Sequence, residues 1–118
     1  MLSPGPGTRV YLAVGATDMR KSIDGLAALV AASLALDPLS AHWFVFCNRG
    51  RDKLKILYWD HNGFWLYYRR LERGRFTWPM AAPNEALAIT PRQLAWLLDG
   101  LPIEQSRAHR AVDARIAI

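Results

Sequence analysis

Arg49, Arg51, Lys53, Lys55, Arg69, Arg70, Arg73 and Arg75 place eight cations in one stretch of chain, against the three carboxylates of Asp52, Asp60 and Glu72. That excess is the whole net charge of +5, because the remaining sequence holds seven basic and seven acidic residues. The wider segment from Trp43 to Trp78 also contains eleven of the thirteen aromatic residues. Cations interleaved with aromatic rings suit a particular chemistry: guanidinium and ammonium groups hold phosphates, and ring faces stack bases. An acidic protein surface would satisfy the same cations. Neither partner requires catalysis.

The residues that could catalyse do not converge. Asp18, Asp24, Asp37, Asp60, Glu72 and Asp99 supply carboxylates for a metal site of the phosphoryl-transfer kind, but their spacing marks no cluster. Asp18 reads as a helix cap, and Asp37 and Asp99 as helix-end residues. His42, His61 and His109 are scattered, and His61 falls in a turn. Cys47 is the only cysteine, which excludes a disulfide or a cysteine-based zinc cluster within one chain, fits a reducing cytoplasm, and reads as a core position of its strand. Gly15 ahead of a helix is a weak anion-binding signal. There is no Walker-type loop and no dinucleotide fingerprint, so no cofactor is expected.

A chain of 118 residues, 52% hydrophobic and 21% charged, suits one folded core. The expected division is a flexible lead of proline and glycine at 1–8, a single α+β domain at 9–103, and a tail or frayed helix at 104–118. The longest mainly apolar stretch, Ile23 to Leu36, is broken by Asp24 and Ser33. It is shorter than the roughly 20 residues of a membrane span. Met1 to Gly7 lacks the charged and apolar regions of an export signal. The expectation is a cytoplasmic protein without membrane contact.

The elements that must position the basic segment follow from periodicity. Val10 to Val14 reads as a strand ended by Gly15. Thr17 or Asp18 is expected to cap a helix whose stripe is Met19, Ile23, Leu26, Ala27, Val30 and Leu34, with Pro38 as its stop. Trp43 to Cys47, Lys53 to Asp60 and Phe64 to Leu71 read as three strands of a β-meander, with Asn48 to Asp52 as the first loop. Phe76 to Trp78 is expected as a short edge strand. Thr90-Pro91-Arg92-Gln93 is a capping box with proline at the first helical position, and Leu94, Leu97, Leu98 and Leu101 form the core face of the helix that follows. Gly100 and Pro102 end it. The resulting fold class is α+β: a small antiparallel sheet from a strand–helix unit and a meander, with a C-terminal helix packed on it.

His61-Asn62-Gly63 suits a three-residue turn with Gly63 left-handed, which sets Asp60 opposite Phe64. Strand alternation then puts Leu54, Ile56, Tyr58, Leu66 and Tyr68 on a core face. Lys53, Lys55, Leu57, Trp59, Trp65, Tyr67 and Arg69 share the other, where Trp59 opposite Trp65 would form an aromatic platform with cations at one end. Two alternatives stay open. A helix can cover that platform, since tryptophans are usually buried, and a two-residue Asn62-Gly63 turn would shift the register by one. The arginines at 49, 51, 69, 70, 73 and 75 lie in loops or at strand ends, where burial is least expected.

Two long stretches and three short ones carry a family resemblance. They are Val10-Tyr11-Leu12-Ala13-Val14-Gly15-Ala16-Thr17-Asp18-Met19-Arg20-Lys21-Ser22-Ile23-Asp24-Gly25-Leu26, then Phe44 through Asp60 around Asn48-Arg49-Gly50-Arg51-Asp52-Lys53, and then Gly63-Phe64, Arg70-Leu71-Glu72 and Gly74-Arg75-Phe76. From about Arg9 to Leu101 the chain resembles the accessory protein encoded by the second open reading frame of insertion-sequence-66-type bacterial transposable elements, often called TnpB. Gly50 departs from that family's more continuously basic loop. The resemblance implies a non-catalytic factor that assists transposition beside a separate transposase, and it supplies no catalytic residues.

The combined expectation is an accessory protein that binds element DNA, the transposase of the same element, or both. The candidate contacts are Arg49, Arg51, Lys53, Lys55, Trp59, Trp65, Tyr67, Arg69, Arg70, Arg73 and Arg75. Two other classes compete: a protein–protein adaptor or homo-oligomer using the hairpin edge, and a small metal-dependent nuclease.

Overall fold

The computed structural model describes residues 3–104 of the chain. The expected tail from 105 onward lies outside the described residues. Five strands, β1 (Val10–Ala13), β2 (Trp43–Cys47), β3 (Lys53–Asp60), β4 (Gly63–Arg70) and β5 (Ala86–Ile89), form one sheet in the order β4-β3-β2-β1-β5. The helices are α1 (Ile23–Ala32), between β1 and β2, and α2 (Pro91–Leu98), after β5. The α+β class stands, and the sheet is mixed. β1 and β2 run parallel across the α1 connection, while the other three pairings are antiparallel.

The central strand explains the layering. Every residue of Trp43–Cys47 is buried, so both faces of β2 are covered. Alternation sends Trp43, Val45 and Cys47 to a core shared with Leu94, Leu97 and Leu98 of α2, together with Phe76 and Trp78. Phe44 and Phe46 go to the opposite core, with Leu26 and Val30 of α1. A strand apolar on both sides thus demands a helix on each face.

Two elements differ from expectation. Phe76 to Trp78 does not pair in the sheet; it runs as extended chain whose Phe76 and Trp78 are buried plugs, the indole N–H donating to Ala13 O and Gly15 O at 3.2 and 3.0 Å. The edge position beside β1 is taken by β5, too short to show a periodic signal. Helix α1 starts later than Thr17 or Asp18 would predict, with Ser22 at its N-cap and no side-chain cap bond. Thr17 is instead drawn to the sheet, its N–H donating to Cys47 O at 2.8 Å, which leaves 14–22 as a loop over the end of β2. The box at α2 forms as the sequence specifies: Gln93 N–H donates to Thr90 Oγ1 at 3.1 Å, and Thr90 N–H to Gln93 Oε1 at 2.9 Å.

The β3–β4 register is the main correction. Asp60 pairs with Gly63, Trp59 with Phe64, Tyr58 with Trp65, Leu57 with Leu66 and Ile56 with Tyr67. The left-handed residue is His61, at φ 63°, and Asn62 N–H donates to Asp60 O at 2.5 Å, a tight γ-type turn about His61. Gly63 is an ordinary strand residue. The reason lies in the two cores. This pairing sets Leu66 beside Leu57 under α1 and Tyr67 beside Ile56 near Trp43, whereas a one-residue slip would exchange the faces of β4.

Phe76 is fully buried in the α2 core, and truncation there removes a ring that no neighbour can replace. Phe76→Ala is expected to cost about 3–5 kcal/mol in urea unfolding. A loss below about 1 kcal/mol would show that the 71–78 segment is not part of the folded core.

Candidate functional site

Cross-strand pairing gathers the charges of the hairpin at one end. Lys53 opposes Arg70 and Lys55 opposes Tyr68, while Asp60 lies at the far end, about 25 Å along the ribbon. The Asn48–Asp52 loop closes the same end. Its organiser is Asn48, whose Oδ1 accepts from the N–H groups of Asp52 and Lys53 at 3.1 Å each and whose Nδ2 donates to Asp52 Oδ1 at 2.8 Å. That last bond holds the Asp52 carboxyl below the usual range and turns its charge into the loop. The 71–76 segment is stitched alongside, Leu71 N–H and Phe76 N–H donating to Asp52 O and Arg51 O at 2.8 and 2.6 Å.

Between this loop and the 14–22 loop lies an open cleft of about 760 Å³, lined by Ala16 to Arg20, by Asn48, Arg49 and Gly50, and by Lys53 and Tyr68. The volume is of the order of small-ligand sites. The two long resemblance stretches therefore meet in space. The 14–22 wall is held in several ways. Gly15, at φ 87°, donates its N–H to Pro79 O at 2.9 Å and leaves no room for a side chain, because a Cβ there would sit 3.0 Å from Pro83 Cβ. Lys55 crosses from β3 and donates its ammonium to Met19 O at 2.7 Å and Lys21 O at 2.8 Å.

The electrostatics of the cleft are positive. Arg20 grips Asp18 through Nε, at 3.1 Å from both carboxylate oxygens, and through Nη2, at 2.7 Å from Oδ2. That grip lowers the Asp18 carboxyl from its ordinary 3.8 to about 2 and cancels the one lining carboxylate. Arg49 and Lys53 remain, and neither makes a side-chain hydrogen bond or ion pair among the described residues. The Tyr68 ring, 54% exposed, completes the lining, with the Lys55 ammonium 5.9 Å from its centroid.

The sequence-derived candidates separate into four groups. Arg49 and Lys53 line the cleft. Arg51, Arg73 and Arg75 are unpaired cations of the adjoining loops, and Arg70 is tied to Glu72 at 2.8 Å. Lys55 is tied to the 14–22 loop, and Arg69 donates one of its five N–H groups, Nε, to Leu98 O at the end of α2 at 2.8 Å. Trp59, Trp65 and Tyr67 stand apart from the cleft. The expected Trp59–Trp65 platform does not form. Trp59, half-buried, packs edge-on to Phe64 at 5.0 Å, and Trp65 lies on the opposite face, 53% exposed, stacked on Tyr67 at 6.1 Å and bonded to Asp60 Oδ2 at 3.2 Å. Tyr68 and Arg20 were missed. The expected register puts Tyr68 on the core face, and a cap at Thr17 or Asp18 would put Arg20 in the first turn of a helix rather than in a loop.

Catalytic groups remain dispersed. Among the described residues no group of three or more His, Cys, Asp or Glu side chains is placed to hold a metal ion. Burial pushes the Cys47 thiol up to about 12, so it stays protonated and cannot serve as a thiolate nucleophile. No helix among the described residues is long and apolar enough to cross a membrane.

The two walls of this cleft are segments that carried the resemblance, and the family described as IS66 Orf2 like protein matches residues 8–108. The chain belongs to the IS66 Orf2-like family. Membership associates it with an accessory role in the transposition of IS66-type insertion sequences. Similar chains include the uncharacterized protein y4hO of Sinorhizobium fredii (strain NBRC 101917 / NGR234), 45% identical over 86% of this chain and 87% of the relative. Another from that organism is the uncharacterized protein y4jC, 36% identical over 86% of each chain. No solved structure matches.

Two outcomes test the cleft walls. The Asp18–Arg20 pair depresses a carboxyl pKa, so its contribution is complete above the ordinary carboxylate range and is lost as pH falls toward about 2. A carboxyl titration followed by NMR is expected to place the Asp18 midpoint near 2 and, in Arg20→Ala, back toward 3.8. Lys55→Met leaves two carbonyls without their charged donor and is expected to cost about 1–3 kcal/mol. Faster amide exchange confined to 19–22 would mark the released wall, and unchanged exchange there would refute the tie.

Proposed function

We propose that this IS66 Orf2-like protein is a non-catalytic, cytoplasmic accessory factor that binds nucleic acid of its element through the basic cleft and the loops beside it. The observation that carries the reading is the end-on grouping of unpaired cations. Arg49, Arg51, Arg73 and Arg75 on adjoining loops, and Lys53 at the start of β3, make no side-chain hydrogen bond or ion pair among the described residues, and their local carboxylates are spent on Asn48, Arg20 and Arg70. The planar guanidinium fork meets phosphate oxygens two at a time, which limits the entropy lost per hydrogen bond, and counterion release supplies the driving force. A complex with the transposase is compatible with the same surface.

A second reading has its own observation. β4 is one of the two outer strands of the sheet, and Trp65 stands exposed on it, stacked on Tyr67. A partner strand from the transposase or from a second copy would add there through backbone hydrogen bonds. Such an assembly would resist salt and be lost in Trp65→Ala.

The deciding experiment is fluorescence anisotropy on element-end DNA across a salt series, with and without the transposase. Affinity is expected to fall steeply with salt, and Arg49→Ala and Arg73→Ala each to reduce the slope by about one. A protein that neither binds element DNA at low salt nor co-purifies with its transposase would sink the reading.

A further inference from the structure

Resting on the nucleic-acid reading, we infer that the cleft between the 14–22 and 48–52 loops is a site for an unpaired nucleotide of a single strand, with its base stacked on Tyr68 and its phosphates held by Arg49 and Lys53. A basic surface alone does not distinguish single strands from duplex. The floor of this cleft does.

Tyr68 is a large aromatic side chain held out on a strand whose neighbours on the same face, Leu66 and Phe64, are half-buried. Nothing in the described core requires it: it packs in neither apolar cluster. Its ring is nonetheless positioned. The strand fixes its backbone, and Lys55, itself pinned by Met19 O and Lys21 O, holds a cation 5.9 Å from the ring centroid. A ring steadied on one side by a cation and open to a basic cleft is a stacking platform of the kind single-strand binders use. A base inside a duplex already has both faces covered and would have to leave its stack at a cost of a few kcal/mol. An unpaired base pays none of that.

The cleft chemistry fits the rest of a nucleotide. Arg49 and Lys53 are unpaired cations on the same lining as Tyr68, and the Asp18 carboxylate that would repel a phosphate is occupied by Arg20. At Gly50, which also lines the cleft, a Cβ would lie 3.3 Å from Asp52 Oδ1 and press on the Asn48–Asp52 bond that shapes the loop. The contacts are to ring faces and phosphates, so recognition should tolerate any base sequence.

The test compares the full chain with Tyr68→Ala, Tyr68→Trp and Arg49→Gln, by anisotropy of labelled 12-nucleotide single-stranded DNA, the same sequence as duplex, and the same sequence as single-stranded RNA. Thermal melts by circular dichroism establish that each variant is folded. The expected result is tighter binding to the DNA single strand than to the duplex. Tyr68→Ala should lower the single-strand to duplex affinity ratio by about tenfold, and Tyr68→Trp should restore it. Arg49→Gln should weaken both ligands and reduce the salt slope. Comparable RNA binding with the same Tyr68 dependence supports a stacking site common to both single strands. Duplex bound as tightly as single strand, or a ratio unmoved by Tyr68→Ala, overturns this inference and leaves the basic-surface reading standing. No binding of any oligonucleotide at about 50 mM salt overturns both.

Discussion

Burial of β2 on both faces is the constraint on which the rest depends. Trp43, Phe44, Val45, Phe46 and Cys47 are all withdrawn from water, and each pleat direction needs its own apolar cover. That requirement places α1 on one side and α2 with the 71–78 segment on the other. It consumes much of the aromatic content that first drew notice to this stretch, leaving Trp65 and Tyr68 as its exposed members on β4. It also fixes β3, whose Leu54 and Ile56 must join one core and Leu57 the other, and through β3 the register of β4.

Charge in this protein is partly structural. Lys55 and Arg69 are candidate binding groups, yet each also donates to backbone carbonyls, Lys55 to two in the loop before α1 and Arg69 through its Nε alone to the last residue of α2. They act as clamps joining a strand to a distant segment. Arg49, Arg51, Arg73 and Arg75 on the loops, and Lys53 at the start of β3, make no such bond among the described residues. Composition counts every cation alike, whereas assigning each donor its partner separates the clamping cations from the unpaired ones.

Legibility varied with the range of the interactions. The α2 capping box, the boundaries of β2 and β3, and the α+β class could be read directly, because each depends on residues a few positions apart or on a single strand's composition. The family, too, was legible from long contiguous motifs. What could not be read were decisions between segments. Thr17 and Asp18 look like helix caps until Cys47 O takes the Thr17 N–H and Arg20 takes the Asp18 carboxylate. His61-Asn62-Gly63 looks like a turn with glycine at the left-handed position until two cores on opposite faces select the pairing of Leu57 with Leu66.

The sequence by itself determined that eight cations and most of the rings would lie close together along the chain, where β2, β3 and α2 would form, and which family the chain resembles. Only the tertiary structure decided which of them face the same way. In a strand one residue of register exchanges the faces, and register is set by the apolar surfaces that must be buried on both sides of the sheet. That choice removed Trp65 and Tyr67 from the basic end and brought Tyr68 to the cleft beside Arg49 and Lys53.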